Sequence, residues 1–143
     1  MAHVLDAFAL LAMALDEPAA DEVEAVVRRG DGRVAAVNLA EALDQLGRVH
    51  GHDDELLDST FAPFLAEAVE VAPIDEALAW RGAVLRRRHY RRRTSELSLV
   101  DCFALGLAGP ADTLVTADPP LLRAARAEGI AVRALPDARG RRP

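Results

Sequence analysis

The 143-residue sequence contains no lysine, and all 17 of its basic side chains are arginines. This absence excludes two mechanisms. A phosphate-loop nucleotidase needs a lysine after its glycine loop, and Schiff-base chemistry needs a lysine amine. Neither is available to this chain.

Other absences bear on the compartment. Cys102 is the one cysteine, so the chain cannot form an internal disulfide. The sequence contains no run of about 18 apolar residues, so we predict no transmembrane helix. The first residues, MAHVLD, lack the charged leader and cleavage site of a signal peptide. We therefore expect a cytoplasmic protein with no membrane partner.

Apolar runs alternate with helix-like segments along the chain, in which 51% of residues are hydrophobic. The pattern predicts strands at 2–5, 33–37, 68–72, 113–116 and 130–134. Helices are predicted at 7–15, 18–29, 38–50, 53–67, 75–88, 98–108 and 119–128, with a bend or interruption near Pro63. Such alternation is typical of parallel βαβ units with helices on both faces of the sheet. We predict one α/β domain over 1–136 and a flexible tail over 137–143.

Four acidic residues stand where an apolar run gives way to a helix start: Asp6, Glu41, Asp101 and Asp118. The carboxyl ends of parallel strands meet along one edge of a sheet, so these carboxylates are expected to converge there. Clustered carboxylates repel one another and tolerate burial when cations neutralise them. Oxygen ligands of this kind suit Mg²⁺ or Mn²⁺, and one or two such ions activate water for attack at phosphorus.

Each acid also has a purely structural interpretation. Asp6 has the position of an N-cap. Asn38 and Ser98 each stand three residues before an acid, the spacing of a capping box. Asp118 directly precedes Pro119, the favoured order for an N-cap and the first helical position. Their shared position at strand ends favours the metal site over four unrelated caps.

Four segments carry a resemblance to a known family: VLDAFALLAMALDEP, VNLAEAL, LSLVDCFALGLA and LVTADPPLL. In order and spacing they resemble a PIN-domain ribonuclease, in particular the VapC-like toxin of a VapBC-type toxin–antitoxin module. The resemblance implies an α/β/α sandwich around a mainly parallel sheet, with the four acids as metal ligands. It also implies Mg²⁺- or Mn²⁺-dependent cleavage of RNA such as tRNA, a homodimer, and a cognate antitoxin that neutralises the enzyme.

One position departs from the family pattern. A small hydroxyl residue is common two positions after the first Asp, and here that residue is Phe8. A phenyl ring cannot donate a hydrogen bond to a carboxylate or a metal-bound water. Thr116, two residues before Asp118, matches the family pattern; it either supports a carboxylate or water or is an ordinary β-branched strand residue.

The densest positive charge follows Arg81. Its candidate RNA- or antitoxin-binding residues are Arg86, Arg87, Arg88, Tyr90, Arg91, Arg92 and Arg93. Arginines neutralise phosphates, and Tyr90 or His89 could stack on unpaired bases. Docking of an acidic antitoxin segment and a solvated helix end are the alternatives that the sequence leaves open.

Two other functions compete with the nuclease. A catalytically silent RNA- or partner-binding module on the same fold is favoured by Phe8 and disfavoured by the intact set of four acids. A receiver or phosphohydrolase also uses acids at strand ends. Receivers pair these acids with a lysine, and haloacid dehalogenase-type phosphatases want an Asp where this chain has Phe8, so both are disfavoured.

Overall fold

The computed structural model describes all residues from Met1 to Pro143. Five strands and seven helices alternate along the chain. The strands are β1 (His3–Leu5), β2 (Gly32–Ala35), β3 (Val69–Ala72), β4 (Thr113–Thr116) and β5 (Ala131–Ala134). The helices are α1 (Ala7–Ala14), α2 (Ala20–Val27), α3 (Ala36–Arg48), α4 (Asp54–Glu67), α5 (Glu76–His89), α6 (Leu99–Leu107) and α7 (Pro119–Ala127).

All five strands form one parallel sheet in the order β3-β2-β1-β4-β5. The chain moves outward from β1 to β3, then returns to β4 on the other side of β1. The strand order therefore reverses between β1 and β4, where Leu5 lies opposite Val115. Open parallel sheets bind ligands beyond the carboxyl ends of the strands at such a reversal. The residues that follow Leu5 and Val115 therefore occupy the favoured position for a site.

The reversal also explains the layers of the fold. Right-handed crossovers in opposite directions place their helices on opposite faces of the sheet. Leu5 and Val115 pack with residues of α1–α4 in one core cluster, whereas Val4 and Leu114 pack with residues of α6 and α7 in another. Side chains alternate between the faces of a strand, so adjacent residues serve both cores. The predicted α/β/α sandwich with a parallel sheet is confirmed.

Several predicted boundaries were wrong. The second strand ends at Ala35 rather than 37, and α3 begins at Ala36 with Ala35 as its N-cap. Apolar Ala36 and Val37 therefore belong to the helix, where the sequence pattern suggested strand. Helix α4 continues through Pro63, so the interruption expected there as an alternative to a bend does not occur. Pro63 and Ser59 are both exposed, so the carbonyl that loses its helical partner can bond to water instead.

None of the helices combines the length and apolarity that crossing a bilayer requires.

Candidate active site

Asp6 lies immediately after β1 and caps α1. Its extended backbone lets Oδ1 accept a hydrogen bond from the Ala9 N–H at 2.9 Å, as the cap pattern predicted. Oδ2 accepts a hydrogen bond from the Thr116 hydroxyl. The residue is 3% exposed, and burial raises its pKa to about 7 even though both hydrogen bonds act to lower it. The negative charges of Asp101 and Asp118 raise this pKa further.

Thr116 connects two of the acids at the end of β4. Besides donating to Asp6, its Oγ1 accepts a hydrogen bond from the Asp118 N–H at 3.0 Å. Asp118 caps α7, with Oδ2 accepting from the Leu121 N–H at 2.8 Å and Pro119 at the first helical position. Burial raises the pKa of Asp118, as does the charge of Asp101. Thr116 is thus a fully buried polar support rather than an ordinary strand residue.

Asp101 enters the site from the first turn of α6. Ser98 and Asp101 form the predicted capping box: Ser98 Oγ accepts from the Asp101 N–H at 3.0 Å, while Asp101 Oδ2 accepts from the Ser98 N–H at 3.0 Å. The Ser98 hydroxyl also lies 2.6 Å from Oδ2. These contacts fix the carboxylate and leave Oδ1 without a hydrogen-bond partner.

Glu41 projects from the middle of α3, not from its start. The capping box predicted for Asn38 and Glu41 was wrong, because α3 begins two residues before Asn38. Asn38 is fully buried instead, and its Nδ2 donates to the Val100 carbonyl at 3.2 Å, joining α3 to α6. Glu41 makes no hydrogen bond; its pKa is raised by burial, then by the charges of Asp101 and Asp44.

All four acids line one crevice of about 350 Å³ at the carboxyl edge of the sheet. We call it the acidic crevice; its other walls are Ala7, Phe8, Leu11, Gln45, Ala117, Pro119 and Asp137. Gln45 and Asp137 were missed by the sequence reasoning. Gln45 stands one helical turn after Glu41, a spacing that points to the same face. Asp137 lies three residues after β5, as Asp6 and Asp118 follow β1 and β4, but it fell within the expected tail. Asp101 is the exception, because its helix follows α5 rather than a strand.

The four acids line the same crevice, but their side chains do not converge on a single metal position. No group of three or more His, Cys, Asp or Glu side chains is gathered tightly enough to hold a metal ion as placed. The donor set nonetheless suits a hard cation, because it offers only carboxylate oxygens. Mutual repulsion contributes to the raised pKa values of Asp6, Glu41 and Asp118, and a bound cation would relieve it.

Phe8 also lines the acidic crevice, and it packs partly against the core cluster that contains Leu5. The hydroxyl that the family pattern would put at this position is therefore replaced by an apolar wall. Asp6 accepts its side-chain hydrogen bond from Thr116, on the neighbouring strand.

The arginine segment, residues 86–93, divides into two groups. Arg86 is half-buried: its Nε donates to the Leu97 carbonyl at 3.0 Å, and its guanidinium lies 4.8 Å from the centre of the Tyr90 ring. Arg88 and His89 bind Glu128, with distances of 2.6 to 2.8 Å. These residues join α5 to its neighbours.

The second group is exposed. Arg87, Arg92 and Arg93 form no hydrogen bond or ion pair, and Arg91 binds only the carbonyls of Arg88 and Tyr90. A tight turn closed by the Arg91–Ser95 bridge presents Arg92 and Arg93. Arg123 of α7 holds this turn through the Thr94 carbonyl at 3.2 Å, and the charge of Arg123 acts to lower the pKa of Asp118. Arg123 therefore connects the turn to the helix that Asp118 caps.

Comparisons with known proteins give a family match and two similar structures. The family model of the PIN domain matches residues 3–127. A comparison with curated proteins gives no significant sequence match. VapBC2 from Rickettsia felis, solved bound to a DNA fragment from its promoter, is similar in structure: TM-score 0.61, 16% identity, 93% of this chain and 98% of that chain. FitAcB from Neisseria gonorrhoeae is also similar in structure, with a TM-score of 0.58 and 20% identity. The match covers 91% of this chain and 95% of that chain. At these identities the likeness concerns the fold.

Proposed function

The chain belongs to the PIN-domain family, and from that premise we propose that it is a metal-dependent endoribonuclease toxin of the VapC type. Its substrate is RNA, of which tRNA and other structured RNAs are the candidates, and a cognate antitoxin neutralises it in the cytoplasm. One observation carries the proposal: acids from four separate segments line a single crevice at the reversal point of a parallel sheet.

Asp6, Glu41, Asp101 and Asp118 would hold the Mg²⁺ or Mn²⁺. When bound, such an ion lowers the pKa of water and stabilises negative charge at phosphorus. Hydrogen bonds within the protein orient the carboxylates of Asp101 and Asp118. Ser98 and the Leu121 N–H each engage one carboxylate oxygen, which leaves Oδ1 of Asp101 and Oδ1 of Asp118 without a hydrogen-bond partner.

Thr116 and the backbone of α1 donate hydrogen bonds that orient the carboxylate of Asp6, the most buried acid. Their hydrogen bonds favour its ionised form against the cost of burial. The helix N-termini at Asp6 and Asp118 add partial positive charge where the carboxylates stand. Phe8 supplies an apolar part of the crevice wall beside these groups.

The exposed arginines supply the charge that RNA binding needs. The acidic crevice alone would repel a polyanion, so cations must flank it. Arg92 and Arg93 are exposed and unpaired, and their turn is fixed to the helix that Asp118 caps. RNA contact therefore fits these residues better than it fits Arg86 and Arg88, whose guanidinium groups serve contacts within the fold.

The test is cleavage of mixed cellular RNA by the purified chain with Mg²⁺, with Mn²⁺ and with EDTA. We expect metal-dependent cutting that Asp101→Asn abolishes. Asp53→Asn is the matched control, because Asp53 accepts the Leu56 N–H at a helix start, as Asp101 accepts the Ser98 N–H, but it lies outside the acidic crevice. Asn keeps a side-chain oxygen that can accept these hydrogen bonds, so both variants should fold.

A catalytically silent binding module remains the second candidate. It is favoured by the absence of a closed ligand group and by Phe8 in the crevice wall. Well-folded protein that binds RNA but cuts none of it with either metal would establish this alternative. Induced expression in bacteria offers a second readout, since a toxin should arrest growth and Asp101→Asn should not.

A further inference from the structure

The last residues of the chain form a defined turn beside the acidic crevice. We call residues 137–142 the C-terminal arginine turn. The Asp137 N–H donates to the Arg141 carbonyl at 2.8 Å, and the Gly140 N–H donates to the Asp137 carbonyl at 2.8 Å. Gly140 has a φ of 77°, in the left-handed region that favours glycine. The segment expected to be a flexible tail thus has a closed hydrogen-bonding pattern.

Arg142 fastens this turn to the body of the protein. Its Nη1 donates to the Ala134 carbonyl at the end of β5 at 2.8 Å, and its Nη2 binds the Glu22 carboxylate on α2. The turn is therefore held at two points outside itself. These contacts use the guanidinium of Arg142 for structure.

Arg139 and Arg141 have different surroundings. Arg141 binds Asp137 through Nε at 3.0 Å and Nη2 at 2.8 Å, which leaves three of its five N–H donors free. Arg139 is exposed, and its side chain has no partner. Because Asp137 is itself a wall of the acidic crevice, its ion pair puts the Arg141 guanidinium at the rim. Hydrogen bonds from its own turn and from Arg141 lower the pKa of Asp137 and keep it charged.

We propose that the C-terminal arginine turn is a second RNA-contacting element, in which Arg139 and Arg141 bind backbone phosphates of the strand that enters the acidic crevice. This inference rests on the proposed ribonuclease function and extends it. A strand that approaches several carboxylates needs cations close to them. The turn offers the unpaired guanidinium of Arg139 and the three free N–H donors of Arg141.

The sequence provides a closely matched control. Arg28 and Arg29 repeat the arrangement at the end of α2: Arg28, its C-cap, forms an exposed i,i+4 ion pair with Glu24 at 2.6 Å, and Arg29 is exposed without a side-chain partner. They border a different cavity, with Gly30 and Ala68 at the amino-terminal side of the sheet. Arg139→Gln/Arg141→Gln and Arg28→Gln/Arg29→Gln each remove two charges and free one carboxylate.

Both pairs of substitutions are made in the full chain carrying Asp101→Asn, so that a fluorescent single-stranded RNA stays intact. The measurement is the dissociation constant over a series of salt concentrations with Mg²⁺ present. Each lost phosphate contact on single-stranded RNA should reduce the slope of log affinity against log salt by about 0.7. We expect a reduction of about 1.4 for Arg139→Gln/Arg141→Gln and none for the control pair.

Equal slopes for the two double variants would overturn the inference while leaving the proposed nuclease intact, provided the parent binds RNA and the unmodified chain cleaves it. If the Asp101→Asn parent did not bind RNA and the unmodified chain did not cleave it, the proposed function and this inference would be overturned together. Thermal melting of both variants verifies that neither has lost its fold.

Discussion

Thr116 donates its hydroxyl proton to Oδ2 of Asp6, joining the ends of two neighbouring strands whose residues are 110 positions apart in sequence. Thr116 Oγ1 also accepts a hydrogen bond from the Asp118 N–H, so one side chain orients two acids of the crevice. The hydrogen bond lowers the pKa of Asp6, opposing the effect of burial.

Thr116→Val keeps the shape of the side chain and removes the donor. Because the bond favours the ionised carboxylate, its loss should raise the pKa of Asp6 above its present value of about 7. Carbon-13 NMR titration of the Asp side chains in metal-free protein measures this shift directly. Thr113→Val on the same strand is the control, since the Thr113 hydroxyl makes no hydrogen bond. An unchanged Asp6 titration in Thr116→Val would contradict the assigned role.

The caps of the candidate site were predictable because they are local. Ser98 with Asp101, and Asp118 with Pro119, each involve residues within three positions of one another. Glu41 was correctly assigned to a helix near a strand end, but the helix start was wrong because Ala35 caps it without a side-chain bond. Local sequence offered no cap signal at that position.

The contacts between residues far apart in the chain could not be predicted from the local sequence. Nothing near Thr116 in the sequence specifies Asp6 as its partner; the pairing depends on β1 and β4 being neighbours. The arginine segment likewise looked uniform, yet Arg86 turns inward to Leu97 while Arg92 stays exposed. That division depends on where α6 and the 91–95 turn lie.

The burial of Asp6 predicts a pH-dependent stability. Its pKa is about 7 in the folded protein and near 3.8 in the unfolded chain. The folded state therefore binds more protons between these values, and stability present at low pH is lost as pH rises through 7. Between pH 5 and pH 8 the loss from this group should be roughly 3 kcal/mol in metal-free protein, at 1.36 kcal/mol for each unit of pKa.

Urea unfolding of the chain and of Asp6→Asn in EDTA tests this. The variant carries no ionisable group at this position, so it should be the more stable protein at pH 8, with the difference shrinking or reversing at pH 5. Asp53→Asn, at an exposed cap, should show no such trend. Parallel stability curves for Asp6→Asn and the unmodified chain would rule out the buried titration.

Divalent metal should reverse the loss at neutral pH. If the four acids hold Mg²⁺, ligand at one hundred times its dissociation constant adds about 2.7 kcal/mol to the free energy of unfolding. We expect a concentration-dependent rise in melting temperature at pH 7.5 that Asp118→Asn removes and Asp53→Asn retains. Equal rises in both variants would place the binding of Mg²⁺ outside the acidic crevice.

Helices α5 and α6 pack closely at Gly82, so a larger residue there should disturb α6, the helix that carries Asp101. A Cβ added at Gly82 would lie 2.9 Å from two ring carbons of Phe103, closer than real side chains approach. Gly82→Ala must therefore displace Phe103, two residues after Asp101, and overpacking of this kind costs about 1–3 kcal/mol. We expect lower stability in urea and weaker cleavage at a temperature where the variant is still folded.

Gly47→Ala separates this clash from the general effect of alanine in a helix. The nearest atom to a Cβ at Gly47 lies 3.6 Å away, an ordinary contact, and Gly47 lies within α3. Its substitution should be neutral or stabilise the protein by up to about 1 kcal/mol, the helix propensity gained. If Gly82→Ala were equally harmless, Phe103 would have room to move, and the position of Asp101 would not depend on the close contact between α5 and α6.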